Sequence, residues 1–312
     1  VRAADRSETK VQEAAKHRLK EKYPGDPGRR RSALRLYEGS ARPRSSSAQA
    51  TAPGTVFSAQ FIVRTLEWES GPCQELGLLC APQVVQRWRD AVLTQVNDAP
   101  ESVRQLLSGH DHDGPPLDSP HLAFVPLAFV GHQHADGHLL GMGLVLPEAI
   151  DPEERRDALR AMARIDRLIL GRLGVWRIGG VLAAEAPGNL RPQVWTAHPG
   201  GARHWSTVTP IAFDRHPKVA DRAAYQVEVA EMIAQGCVRI GLPKPKEVIV
   251  TSVSAHLGVP PAHAFPRLER KDGGRRRHAH AILVFGEPVR GPILIGAGRF
   301  RGYGVCRPID VL

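Results

Sequence analysis

At 312 residues the chain is long enough for about two domains. Its hydrophobic fraction of 42% and charged fraction of 24% are ordinary for a globular protein, but 42 Lys and Arg against 32 Asp and Glu leave a net charge of +10. A field of that sign attracts polyanions, of which nucleic acid is the commonest. The length excludes a small disulfide scaffold, and the four cysteines (Cys73, Cys80, Cys237, Cys306) form no CxxC pair. No stretch approaches the roughly 20 apolar residues of a membrane span, and no signal peptide opens the chain, so no membrane role is expected and a reducing cytoplasm is the default. The chain begins Val1-Arg2-Ala3 without Met, which suits a segment of a longer polypeptide.

Residues 1–54 read as a basic tail, with Arg29-Arg30-Arg31, closing in a Ser/Pro/Ala-rich linker from Gly39 to Pro53. A first domain is expected over 55–187. Thr55 to Leu66 alternates, with Phe57, Ala59, Phe61 and Val63 on one face, and predicts a strand. Pro82 opens a helix whose apolar face is Val84, Trp88, Val92 and Val96. Two short apolar runs, Leu122 to Val130 and Leu139 to Leu146, predict strands. Asp151-Pro152-Glu153-Glu154 is a helix start. Leu159, Met162, Ile165 and Ile169 continue that helix to Gly171, and Trp176 to Ala183 predicts a further strand. The order β-α-β-β-α-β is that of a ferredoxin-like unit.

A second domain is expected over 188–312. Trp205 to Phe213 is strand-like. Asp221 caps a helix bearing Tyr225, Val229, Met232 and Ile233, with Gly236 as its end. Glu247 to Val253, His278 to Phe285, Ile293 to Ile295 and Val305 to Ile309 read as strands, and a second helix is not evident. The fold class is therefore α+β: two tandem ferredoxin-like domains, the second degenerate, with a C-terminal glycine-rich loop.

That loop, Gly296-Ala297-Gly298-Arg299-Phe300-Arg301-Gly302-Tyr303-Gly304, is the sharpest segment. Its glycines permit tight turns and close approach to a ligand. Exposed amides with Arg299 and Arg301 suit phosphate oxygens, and Phe300 and Tyr303 suit base stacking. Neither the P-loop nor the dinucleotide-binding spacing of glycines is present. Gly298 and Gly302 complete the candidate RNA-binding loop, and Arg275-Arg276-Arg277, Lys244 and Lys246 are further candidate RNA contacts in loops between predicted strands.

A GRFRGYG-type loop at the end of a tandem ferredoxin-like chain resembles the RAMP superfamily of CRISPR proteins, in particular the repeat endoribonucleases. Ser108-Gly109-His110, His121 to Leu127, Gly131-His132 through Gly137 to Gly141, and Trp195 to His204 are similar to the fused protein of type I-U (I-G) systems, which joins a crRNA-capping module to a repeat-processing module. The resemblance spans about residues 55–310 and makes residues 1–50 the tail of the capping module. It implies cleavage of CRISPR repeat RNA without metal or cofactor, by attack of a 2′-oxygen on the adjacent phosphate to leave a 2′,3′-cyclic phosphate and a 5′-hydroxyl. It implies as partners the repeat or crRNA hairpin and other subunits of an effector complex.

Six histidines crowd between His110 and His138. A neutral imidazole can accept the proton of a ribose hydroxyl. His110, in a Gly-flanked turn after a helix, is the first candidate base, and His121, entering a strand, is the second. The alternatives are a non-catalytic crRNA-binding subunit and a metal-dependent hydrolase. The latter rests on His132-Gln133-His134-Ala135-Asp136-Gly137-His138, which approaches H-x-H-x-D-H except for the inserted Gly137.

Overall fold

The structure, a computed structural model, describes residues 52–110, 117, 119–180, 188–219, 221–270 and 272–309. The basic tail, most of the linker, His112 and the expected strand residues 181–183 lie outside them. Residues 51–312 cluster as one compact unit.

The first sheet follows from an alternating chain feeding two helices. Strand β1 (Ile62–Ser70) leads into helix α1 (Ala81–Thr94), which Pro82 opens at a tolerated position and which buries Val84, Val85, Trp88 and Val92. Helix α2 (Glu101–Ser108) follows and stops at Gly109, a left-handed cap whose N–H donates to Gln105 O at 2.8 Å. Strands β2 (Ala123–Ala128) and β3 (Leu139–Val145) form a hairpin. Helix α3 (Pro152–Ala163) starts at Asp151, whose carboxylate accepts from Glu153 N at 2.8 Å and Glu154 N at 3.3 Å. Strands β4 (Arg167–Ile169) and β5 (Val175–Gly180) complete an antiparallel sheet of order β2-β3-β1-β5-β4, the ferredoxin-like order with one added edge strand.

Two expectations change here. The strand expected over Thr55 to Leu66 begins only at Ile62; Phe57 is buried upstream in an irregular segment bridged to Pro147. A short irregular run can alternate as a strand does. The helix expected to reach Gly171 ends at Ala163, and Ile169, expected on its apolar face, is 69% exposed. Leu168 instead sits opposite Trp176 in the β4–β5 hairpin. Pairing with Trp176 imposes a period of two on residues that also fit a helical period.

The second sheet has β6 (Ala202–Thr207), β7 (Ile211–Ala212), β8 (Glu247–Thr251), β9 (His278–Val289) and β10 (Cys306–Pro308). The long β9 lies between β6 and β8, and β10 pairs β6 on its other side. The short helix α4 (Pro192–Thr196) precedes the sheet, and α5 (Arg222–Arg239), capped by Asp221, connects β7 to β8. Gly236 does not end α5, as expected; it lies inside the helix, where an added Cβ would come 3.7 Å from Ile295 Cβ, and the positive φ falls at Gly241. Gly236 therefore does not cap the helix, and a Cβ there would meet only ordinary contacts. Where a second ferredoxin-like helix would follow β9, the chain carries residues 290–305, most of them the glycine-rich loop.

That loop is built by its own backbone. Gly304, at φ +64°, donates its N–H to Pro210 O at 3.0 Å, and its carbonyl accepts from Ile295 N at 3.1 Å. A Cβ there would stand 1.9 Å from Ile295 O. Gly304→Ala is therefore expected to cost about 2 kcal/mol or more, from left-handed strain plus a backbone overlap. A urea denaturation midpoint unchanged from that of the parent chain would count against this loop conformation.

Candidate nucleic-acid interface and active site

Strand β2 is an edge strand, which permits Pro126 within it, yet all six of its residues are buried. The glycine-rich loop covers that edge. Phe124 N donates to Phe300 O at 3.4 Å, Phe124 and Arg301 form an isolated parallel bridge, and a Cβ on Gly302 would touch Val85 at 3.0 Å. An exposed strand edge invites unwanted pairing, and here a segment from the other sheet satisfies it. The consequence is functional: the arginines of the loop are carried to the end of α2, where Ser108-Gly109-His110 lies.

Between them is a cavity of about 320 Å³. His110 and His121 line it from the first sheet's side, Arg276 from the start of β9, and Arg299 and Arg301 from the loop. Arg89 of α1 and Arg270 join them. Among the described lining residues Glu269 is the one carboxylate, against five arginines. Arg89 Nη2 donates to Ser108 O at 2.5 Å, which anchors the C-terminal end of α2 and with it His110. Burial first, and then the charge of Arg301, hold the Arg89 pKa below its ordinary value. Guanidinium groups crowded in this way disfavour one another's charge, and a bound phosphate relieves that repulsion.

The two histidines differ in what their rings can do. The His121 ring stacks on Phe300 with centroids 3.5 Å apart. Its Nδ1 lies 3.2 Å from Ser119 O, so Nδ1 carries the proton and donates. Its Nε2 edge abuts Gly109, where a Cβ would lie 2.2 Å away, and only a glycine leaves room for the ring. Burial above all, with the charges of Arg299 and Arg89, lowers the His121 pKa to about 4, so the ring is neutral at pH 7. His110 is held differently: its backbone N–H donates to Ser108 Oγ at 3.0 Å, a turn that presents the residue at the cavity wall.

Several expected contacts have other roles. Tyr303 is 3% exposed, with its hydroxyl donating to Pro266 O at 2.8 Å, so it packs inside the protein rather than stacking on a base. The Phe300 ring is likewise taken up, by His121, by Phe57 and by the Arg299 guanidinium 4.6 Å above it. Several of the loop amides expected to face phosphate are bonded within the protein: Arg301 N and Tyr303 N both donate to Gly298 O, and Arg299 N to Gly296 O. Of the three consecutive arginines, Arg276 lines the cavity and donates to Phe213 O and Asp214 O, whereas Arg275 is exposed and Arg277 lies over Tyr225. Lys244 is paired with Glu231 at 2.9 Å, and neither it nor the exposed Lys246 lines the cavity.

The histidine-rich run forms a turn between β2 and β3. His138 Nδ1 lies 2.6 Å from Asp136 Oδ1, while His132 and His134 face each other with centroids 5.5 Å apart. Among the described residues no three His, Cys, Asp or Glu converge as a metal-ligand set. Among them, too, no helix is long and apolar enough to cross a membrane. Arg89 was missed by sequence reasoning, since nothing local distinguishes it from the other polar residues of α1.

Comparison with known proteins gives a sequence family and similar solved structures. No curated protein matches the chain in sequence. The crystal structure of Cas6b superposes with a TM-score of 0.40 at 11% identity, over 75% of this chain and 94% of that one. A structure described as CRISPR associated protein Cas6 gives 0.39 at 9% identity, over 80% of this chain and 100% of that one. The sequence model of the CRISPR-associated protein, GSU0054 family, matches residues 79–308, a span that takes in the second sheet, the first sheet apart from β1, the cavity and the loop, and the chain belongs to that family.

Proposed function

We propose that this chain is a metal-independent endoribonuclease that processes CRISPR repeat RNA into crRNA and remains on the 3′ repeat hairpin within an effector complex. The observation that carries the reading is the cavity itself, where His110 stands among guanidinium groups delivered by a loop distant in sequence. In this reading the scissile phosphate occupies the cavity. His110 accepts the proton of the 2′-hydroxyl as the 2′-oxygen attacks phosphorus. The P–O5′ bond breaks, the 5′-oxygen takes a proton from solvent, and a 2′,3′-cyclic phosphate remains. Arg299 and Arg301 stabilise charge growing on the phosphoryl oxygens. His121 is a positioning residue, since one ring nitrogen is committed to Ser119 and the other abuts Gly109. The same reading divides the chain into a tail (1–54) and two ferredoxin-like domains meeting near residue 187.

The direct test is incubation of the purified chain with labelled repeat RNA in EDTA. Products ending in 2′,3′-cyclic phosphate are expected. Retention without cleavage would leave only the crRNA-binding role, and cleavage only on adding metal would overturn the mechanism. For the loop, Arg299→Ala with Arg301→Ala is expected to weaken hairpin binding. It should also reduce the slope of log affinity against log salt by about 1.5, because two fewer phosphate contacts release fewer counterions. An unchanged salt slope in a filter-binding titration would remove the loop from the RNA interface.

A further inference from the structure

A second concave surface lies on the second sheet, and the cavity described above does not use it. It is a cleft of about 740 Å³ between the first turns of α5, the end of β8 and the start of β9. Arg222, Arg267 and Arg277 line it, with Tyr225, Ser252 and His278, and no Asp or Glu is among its lining residues. Among the described residues none of the three arginines has an ion pair. The Arg277 guanidinium lies 5.9 Å from the centroid of the half-buried Tyr225 ring, and His278 Nδ1 is buried with no hydrogen-bond partner among the described residues.

The connection between this cleft and the cavity is built into one hairpin. Residues 268–276 pair back on themselves through Arg276 N to Leu268 O at 2.8 Å and Arg270 N to Gly274 O at 2.8 Å. Leu268, Glu269, Arg270 and Arg276 line the cavity, while Arg267 and Arg277, on either side of the hairpin, line the cleft. A polyanion leaving the cavity past this hairpin meets arginines on both sides, of which Arg270 is paired with Asp272 and Arg267 and Arg277 have no ion pair among the described residues.

We propose that this cleft binds a single-stranded segment of RNA, continuous with the RNA whose scissile phosphate occupies the cavity. The continuity rests on the function proposed above; the binding of single strands does not. Unpaired arginines in a concave site suit a phosphate backbone. A tyrosine beside a guanidinium suits a base stacked between planar groups. Ser252 offers a hydrogen-bonding group to base or ribose.

The test uses the full chain with Arg222→Ala and Arg267→Ala, both exposed and outside the cavity. The probe is a fluorescent 12-nucleotide oligouridine. Its affinity is expected to fall at least 10-fold and its salt slope by about 1.4, as for two lost phosphate contacts on a single strand. A repeat hairpin without single-stranded flanks should be cut at the parent rate. Tyr225→Leu, which retains an apolar group, should weaken oligouridine while leaving inorganic polyphosphate binding unchanged. Oligouridine affinity unaffected by the double substitution would overturn the proposal, as would equal losses for oligouridine and polyphosphate in Tyr225→Leu. If oligouridine binds through these arginines but no repeat RNA is cut, the cleft stands and the endoribonuclease reading falls. If repeats are cut and the double variant binds oligouridine normally, the reverse holds.

Discussion

His110→Ala is expected to slow cleavage of repeat RNA by about 10²–10⁴-fold, the range of a lost general base, with binding of uncut RNA nearly unchanged. The contrast between the two outcomes is the informative part. Affinity in this reading comes from the arginines lining the cavity, and the substitution leaves them in place. It also leaves the turn intact, because the bonds holding it run between Ser108 Oγ and the His110 backbone. A structural collapse would lower binding and rate together. His121→Ala should behave differently. It removes the ring that Phe300 stacks on and that fills the space over Gly109, so Arg299, next to Phe300, shifts with it. Binding and rate should then both decline, and His121→Asn should recover less than His121→Phe, which restores the stack. Single-turnover rates and affinities for the variants decide this. Normal cutting by His110→Ala with loss in His121→Ala would reassign the base, and normal cutting by both would end histidine catalysis here.

Stability is expected to fall steeply as pH drops from about 6.5 toward 4, through two histidines on different sheets. Burial lowers the pKa of His121 to about 4 and that of His280 to about 4. His280 is fully buried. Its Nε2 donates to Pro260 O at 3.1 Å, so its Nδ1 accepts from Thr207 Oγ1 at 2.9 Å; Thr207 Oγ1 in turn accepts from Ala281 N at 3.0 Å. Burial above all disfavours the charged ring. The folded state therefore resists protonation, while the unfolded state takes it up below about pH 6.5. Where the unfolded state binds more protons, stability rises with pH, so it is lost on acidification across this window. At pH 5 the loss is about 2 kcal/mol per histidine, from about 1.5 pH units of differential protonation. Urea denaturation midpoints from pH 7.5 to 5 provide the measurement. His280→Gln should flatten the pH dependence by about half of the histidine contribution. An equal slope in that variant would place the acid sensitivity in other groups.

How far the fold could be read from the chain depends on how local its causes are. The α1 pattern of Val84, Trp88 and Val92, the Asp151 cap and the Asp221 cap all act within a few residues, and each element formed where expected. The β4 hairpin was read as helix because Ile165 and Ile169 fit a helical period, and only pairing with Trp176 selects the other period. Gly236 was read as a helix end, but the helix runs on to Arg239 and the positive φ falls at Gly241, a choice the local sequence leaves open between two glycines.

The same division holds for the site. By itself the sequence determined the basic charge, the glycine-rich loop with its two arginines, the histidine after α2 and the absence of a clear second helix in the second unit. These are matters of composition and short-range spacing. Only the tertiary structure decided that the loop lies along the edge of β2, that Arg89 and Arg276 join it, and that Tyr303 turns inward. The physical reason is that an edge strand must have its open hydrogen-bonding side covered, and the chain segment that covers it is chosen by packing between the two sheets.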